Sequence, residues 1–328
     1  MQSLKNILIS FIIIYSFTLS AQNENIELGG YLSVGGGYDS YIPSLGKDPS
    51  QRLGAYGMII DTGIDLDIYD FFTGLSFYTD ALQADSWSHS SFISFLTAGW
   101  ARSIDDYDLS LSLSGEFATY DFEDFRAYYG DAAAEFEFFF NHAENMSWYF
   151  TLSGSYTHGI DKMLAYLRGP SVSLDTGEYF YFGQFDSWIK ISYRLSFLFY
   201  DDITAENYSY LGTMGISSLN GKNRGTESSA GVTAKFNMEK LYLLTYLGYR
   251  NLTMFDKDSW EYSDRIIKKR RVDHAVSIEV EPGWTPADDL TVNINYFFEK
   301  NFSTLGKNDY SDENYYRHVI KLLITYDF

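Results

Sequence analysis

A two-residue rhythm of apolar and polar side chains constrains this chain more than any other feature. It is sustained over stretches too long for an ordinary globular strand. Leu109, Leu111 and Leu113 alternate with Ser110, Ser112 and Ser114. Ile60, Ile64, Leu66 and Ile68 alternate with Asp61, Asp65 and Asp67. Phe136, Phe138 and Phe140 oppose Glu135 and Glu137, and Val272, Val276, Ile278 and Val280 oppose Asp273, Ser277, Glu279 and Glu281. From Ile189 to Phe199 every second residue is apolar or aromatic, against Lys190, Ser192, Arg194 and Ser196. Residues two apart share a face of a strand and not of a helix, so the chain reads as sheet throughout. The abundance of Tyr (29) and Phe (26) beside only 5 Pro agrees with that reading.

Alternation suits two architectures. A soluble sandwich hides its apolar face inside; a membrane barrel turns it outward to lipid. Three features select the barrel. Many alternating runs reach about ten residues, the length of a tilted membrane crossing. Aromatics gather near strand ends, as interfacial girdles require: Tyr69, Phe71 and Phe72; Trp100; Trp148 and Tyr149; Tyr179 to Phe182; Tyr326 and Phe328. Short connections are expected near Tyr69–Phe71, Ile104–Asp108, Asn141–Asn145, Gly183–Asp186, Asn237–Lys240 and Thr285–Asp289. They alternate with longer polar stretches at 39–53, 81–90, 121–126, 158–170, 201–226, 251–270 and 302–314. The expected fold is all-β, a closed antiparallel transmembrane barrel of about 14 strands, with 12 or 16 as the neighbouring counts. Segment 207–218 is assigned to an external loop, because counting it as a strand would leave the termini on opposite sides.

Residues 1–21 read as a signal peptide. Lys5 precedes an apolar run from Ile7 to Phe17, and small residues follow at Ser20 and Ala21. The run is about half the length of a spanning helix. Residues 22–328 then form a single barrel domain, with no room before its first strand for a plug. There is no cysteine, and the formal charge of -20 argues against a nucleic-acid partner.

The segment from Val319 to Phe328 alternates to its end, with Ile320, Leu322, Ile324, Tyr326 and Phe328 on one face. Its partner in a closed barrel is expected near Ile26–Tyr38. This segment resembles the last strand of Gram-negative outer-membrane β-barrel proteins of the porin-like kind. That resemblance implies a location in the bacterial outer membrane. It also implies that Tyr326 and Phe328 are the signal read by the barrel-assembly machinery.

If the apolar set faces lipid, the opposite set lines a pore. The expected lining is Asp61, Asp65, Asp67, Glu116, Glu135, Glu137, Lys190, Arg194, Asp273, Glu279, Glu281 and Glu299. Asp175, Lys235, Arg271 and Lys321 fall on the same side. A polar wall with more acids than bases suits a passive channel for small hydrophilic solutes or ions, mildly favouring cations. The alternative is a closed lumen whose charges pair across it, leaving a structural or surface-interaction barrel. Arg265, Lys268, Lys269, Arg270 and Arg271 form a basic cluster suited to lipopolysaccharide phosphates, though a solvated loop balancing Asp256, Asp258 and Glu261 explains it as well. The acidic loops at Asp256–Glu261 and Asp309–Asn314 lack a calcium-loop signature. No metal or cofactor is expected. A hydrolase would need an oriented histidine beside a nucleophile. Of His89, His142, His158, His274 and His318, His158 is the best placed, with Asp161 nearby. No nucleophile motif accompanies it, so the chain is read as a non-enzyme.

Overall fold

The computed structural model describes residues 26–43, 52–84, 87–122, 125–159, 168–183, 185–199, 224–255, 259–262, 265–268, 272–303 and 316–328. The signal-peptide reading and segment 207–218 lie outside these residues. So do Asp161, the acidic loop Asp309–Asn314 and the basic residues Lys269, Arg270 and Arg271.

The described residues form strands joined by turns. The first eight are β1 (Ile26–Pro43), β2 (Arg52–Ile68), β3 (Phe71–Ala84), β4 (Trp87–Ile104), β5 (Tyr107–Phe122), β6 (Phe125–Ala143), β7 (Met146–Gly159) and β8 (Arg168–Phe182). The rest are β9 (Ser187–Leu198), β10 (Gly225–Asn237), β11 (Leu241–Met254), β12 (Ser259–Tyr262), β13 (Arg265–Lys268), β14 (Val272–Ala287), β15 (Leu290–Ser303) and β16 (Tyr316–Asp327). Fourteen of them close into one antiparallel barrel, each strand paired with its neighbour in sequence and β16 with β1. The two short strands β12 and β13 pair only with each other, between β11 and β14. The expected strand count and closure are both observed. Closure leaves no unpaired edge, which a backbone crossing lipid cannot tolerate.

The burial pattern is inverted relative to a soluble protein. Large apolar side chains point out and stay exposed, with Met58 at 61% and Leu113 at 64%. The buried set is instead rich in small polar residues, including Ser33, Ser91, Ser147, Thr157, Ser173 and Ser196. Their hydroxyls pair across strands on the inner face. Ser33 Oγ lies 2.7 Å from Thr325 Oγ1, and Ser173 Oγ donates to Ser196 Oγ at 2.8 Å. An apolar belt of this size on a molecular surface requires an apolar solvent.

One end of the barrel carries only tight connections, at 69–70, 105–106, 144–145, 183–186, 238–240 and 288–289. Tyr69, Asp105, Asp186 and Gly183 adopt positive φ there, as sharp strand reversals demand. The long connections all lie at the other end. Two of the expected long loops are not long. β3 runs to Ala84 and β4 starts at Trp87; β5 runs to Phe122 and β6 starts at Phe125. The polar composition of 81–90 and 121–126 had suggested loops. Strands can extend beyond the lipid level, where a polar outward side chain carries no cost, so polarity there does not mark the end of pairing.

The girdle reading is also half corrected. Phe71, Trp100, Trp148, Phe180, Phe182 and Tyr326 belong to the outward set, but the strand register turns Phe72, Tyr149, Tyr179 and Tyr181 inward. Consecutive strand residues alternate faces, so an aromatic pair or run cannot lie wholly in a girdle.

Candidate functional site, the inner wall

Strand register assigns every wall residue to a face. Ser33 opposes Asp61, Asp61 opposes Tyr78, and Glu116 opposes Asp131. Ser112 and Ser110 oppose Glu135 and Glu137. Asp175 opposes Arg194, Tyr179 opposes Lys190, Tyr246 opposes Glu279, and Ser277 opposes Glu299. Asp65, Asp67, Asp273 and Glu281 follow from the same alternation. These twelve residues read from the sequence as pore lining share the face opposite the apolar belt. That face is the concave one. Lys321 Nζ on β16 lies 5.7 Å from the ring centroid of Tyr78 on β3, although β1 and β2 stand between them in the wall.

The wall acids are held by tyrosines. Tyr149 Oη donates to Asp175 at 2.6 Å, Tyr31 to Asp61 at 2.9 Å, Tyr242 to Glu281 at 2.9 Å and Tyr78 to Asp80 at 3.3 Å. Tyr129 makes the same contact with Glu116. A phenol hydroxyl donates to a carboxylate without cancelling its charge, as an ion pair would.

The lumen lysines sit on those same rings. Lys190 Nζ lies 4.1 Å from the Tyr149 centroid and 5.1 Å from that of Tyr179. Lys235 lies 5.2 Å from Tyr242. With Lys321 over Tyr78, three units repeat around the lumen: lysine over a tyrosine face, tyrosine hydroxyl on a carboxylate. Among the described residues none of these three lysines forms an ion pair. Two inward arginines behave otherwise, while Arg194 donates to Ser173 Oγ at 3.4 Å. Arg317 grips Asp39 through Nη2 at 2.7 Å and Nε at 3.1 Å. Arg250 lies 3.7 Å from both Glu227 and Glu299. The planar guanidinium fork suits carboxylates, while the ammonium is a point charge that a ring face can hold.

Charge is segregated around the wall. On β2 to β7 the inward face carries Asp61, Asp65, Asp67, Asp80, Asp108, Glu116, Asp131, Glu135 and Glu137, with no inward lysine or arginine among the described residues. The inward cations Lys190, Arg194, Lys235, Arg250, Arg317 and Lys321 all lie on β9, β10, β11 and β16. An aromatic patch that sequence reasoning missed stands beside the first of them. Tyr179 packs against Trp188 at 5.5 Å, Tyr149 at 5.7 Å, Phe139 at 5.8 Å and Tyr181 at 5.9 Å. The alternation of Tyr179 and Tyr181 with Phe180 and Phe182 was the signal available for finding it.

The other candidates fall elsewhere. His158 pairs with Gly130 and Arg168 on the outward face of β7 and is exposed, away from the inward carboxylates and hydroxyls. His274 and His318 also face out, bonded to Tyr249 at 2.6 Å and Tyr296 at 3.0 Å. His142 meets Glu178 on the outward face near the tight-turn end, and it lies on β6 instead of in a turn. Among the described residues no group of His, Asp and Glu converges to hold a metal ion. Of the basic cluster, Arg265 and Lys268 lie on β13. Tyr326 and Phe328 stack at 6.4 Å outside the closing strand, and Phe328 exchanges two backbone hydrogen bonds with Gly30 at 2.9 Å.

No protein-family model matches this chain, and no curated protein matches it. Solved outer-membrane channels are similar to it at very low identity. The TodX monoaromatic hydrocarbon channel (a deltaS2 mutant) is 9% identical, with a TM-score of 0.49 over 94% of this chain and 91% of that one. A Pseudomonas aeruginosa FadL homologue is 11% identical, with a TM-score of 0.47 over 92% and 90%. The outer membrane protein OprD from Pseudomonas aeruginosa is 10% identical, with a TM-score of 0.43 over 93% and 94%. The barrel architecture rests on the strand pairing.

Proposed function

We propose that this barrel is a passive channel of the bacterial outer membrane for small hydrophilic solutes, with an acidic lumen that favours cations. One observation carries the reading: several wall acids are bonded to tyrosine hydroxyls, and β2 to β7 themselves carry no inward lysine or arginine among the described residues. Fixed negative charge on a narrow wall raises the local cation concentration and opposes anion entry. The apolar outer belt supports membrane placement, and the tight-turn end corresponds to the periplasmic side. Tyr326 and Phe328 serve as the assembly signal, and the cluster at Arg265 and Lys268 as a lipopolysaccharide contact.

The test is single-channel recording of the refolded protein in a planar bilayer under a potassium chloride gradient. Stable steps with a reversal potential on the potassium side are expected. Anion preference would overturn the acidic lumen. Silence from a folded barrel would favour the closed reading, which draws on the inward rings of Tyr149, Tyr179 and Trp188.

A further inference from the structure

Where β1 closes against β16 the inner wall has a recess. Gly37 and Gly57 oppose each other across the ladder and present no side chain to the lumen. A cavity of about 260 Å³ occupies this place, reaching from β1, β2 and β3 to β14, β15 and β16. It is smaller than pockets for drug-sized ligands, which begin near about 300 Å³. Its lining is mixed in an informative way. Lys321 supplies an ammonium with no ion pair among the described residues. Asp80 and Glu279 supply carboxylates, and Leu82, Phe297 and Ile59 supply apolar surface. Arg317 and Asp39, also at the recess, are engaged with each other.

The two carboxylates are held in place. Asp80 accepts from Ser91 N at 3.0 Å, from Ser91 Oγ at 2.8 Å and from Tyr78 Oη at 3.3 Å. Asn295 Nδ2 bridges Glu279 and Glu281, at 3.0 Å from the latter. Groups fixed before the ligand arrives cost little to order on binding. A simple anion would meet Lys321 but be repelled by Asp80 and Glu279. A simple cation would leave Lys321 unmatched. A solute bearing both charges and an apolar side chain satisfies the whole surface.

We infer that this recess is a binding subsite for a zwitterionic α-amino acid with an apolar side chain. The carboxylate meets Lys321, the ammonium meets Glu279 and Asp80, and the side chain lies on Phe297 and Leu82. This rests on the channel reading above and names a solute class for it. The test uses L-phenylalanine, with 3-phenylpropionate (no ammonium) and phenethylamine (no carboxylate) as controls. L-phenylalanine is expected to interrupt the single-channel current, and each control to do so about tenfold less well, the cost of one charge-assisted contact. Lys321→Gln is expected to weaken the L-phenylalanine block by a similar factor. Glu279→Gln serves as the second variant should the first not migrate as a heat-modifiable folded barrel. Calorimetric titration of L-phenylalanine into the folded, detergent-solubilised full chain reads the same site without conductance. Equal block by all three compounds, or block untouched by either substitution, would overturn the inference. So would the absence of binding heat. A conducting channel that binds no L-phenylalanine removes the recess and leaves the channel standing; binding to a silent barrel keeps the recess and removes the channel.

Discussion

The two arcs of the inner wall differ in how they treat charge. β2 to β7 carry carboxylates and no inward cation of their own among the described residues, with several of the acids bonded to hydroxyls: Asp61 to Tyr31, Glu116 to Tyr129, Asp131 to Thr157. From β8 through β16 acids and bases intermingle, as Arg250 does with Glu227 and Glu299. Both arcs use the same strand geometry. What separates them is whether cations share the face, since Asp175 and Glu281 of the second arc are hydroxyl-bonded as well. Hydroxyl-bonded acids keep their field; paired acids lose most of theirs. The transport bias is therefore expected to come from the first arc, while ion pairing that braces the wall comes from the second.

The harshest way to break this contrast is to put cations into the acidic arc. Glu135→Lys with Glu137→Lys should abolish the cation preference, read as a reversal potential moving to or past zero. A reversal potential that stays put would remove these residues from the conducting wall. Next in size is Arg317→Met in the mixed arc. It leaves the buried Asp39 without its double grip and should cost about 2 kcal/mol in urea titrations of the lipid-embedded barrel. Asp39 is only 8% exposed, so a loss near zero would mean that water replaces the guanidinium. Smaller again, Lys190→Met with Lys235→Met should raise cation preference, since these lysines offset acids without pairing to them. A fall would reverse their assigned role. The smallest effect separates two tyrosines. Tyr149→Phe removes the hydroxyl on Asp175 beside Lys190 and should cost about 1 kcal/mol. Tyr31→Phe, whose ring carries no lysine contact among the described residues, should cost less, and equal losses would argue against cooperation within the lysine–tyrosine–carboxylate units.

Much of the barrel is legible in the chain, because alternation within a strand is a local property. Leu109, Leu111 and Leu113 announce their face without reference to any other strand. The pairing partners are not local. Nothing in the sequence says that Tyr149 reaches Asp175, or that Lys321 lies over Tyr78, since those contacts depend on register and on curvature across several strands. The two missed hairpins at 81–90 and 121–126 fail for a related reason. Outside lipid a strand has no need to be apolar. Tyr179 and Tyr181 resemble girdle residues by composition, but their alternation with Phe180 and Phe182 turns them inward.

The join between β1 and β16 has a kinetic meaning. The Ser33–Thr325 bond ties residues 292 positions apart, whereas nearly every other ladder links strands adjacent in sequence. Bringing two such distant points of an unstructured chain together costs about 5 kcal/mol of loop entropy. Hairpins formed earlier would shorten that search by curling the sheet towards itself. Folding is then a progressive zippering that ends in one rare docking event. Until it occurs the sheet exposes two adhesive edges, so delay at this step invites aggregation. The same join is where forced opening of the barrel should begin. Added bulk at Gly35, whose Cβ would stand 1.9 Å from the Leu322 carbonyl oxygen, would slow the final step before it disturbed any other.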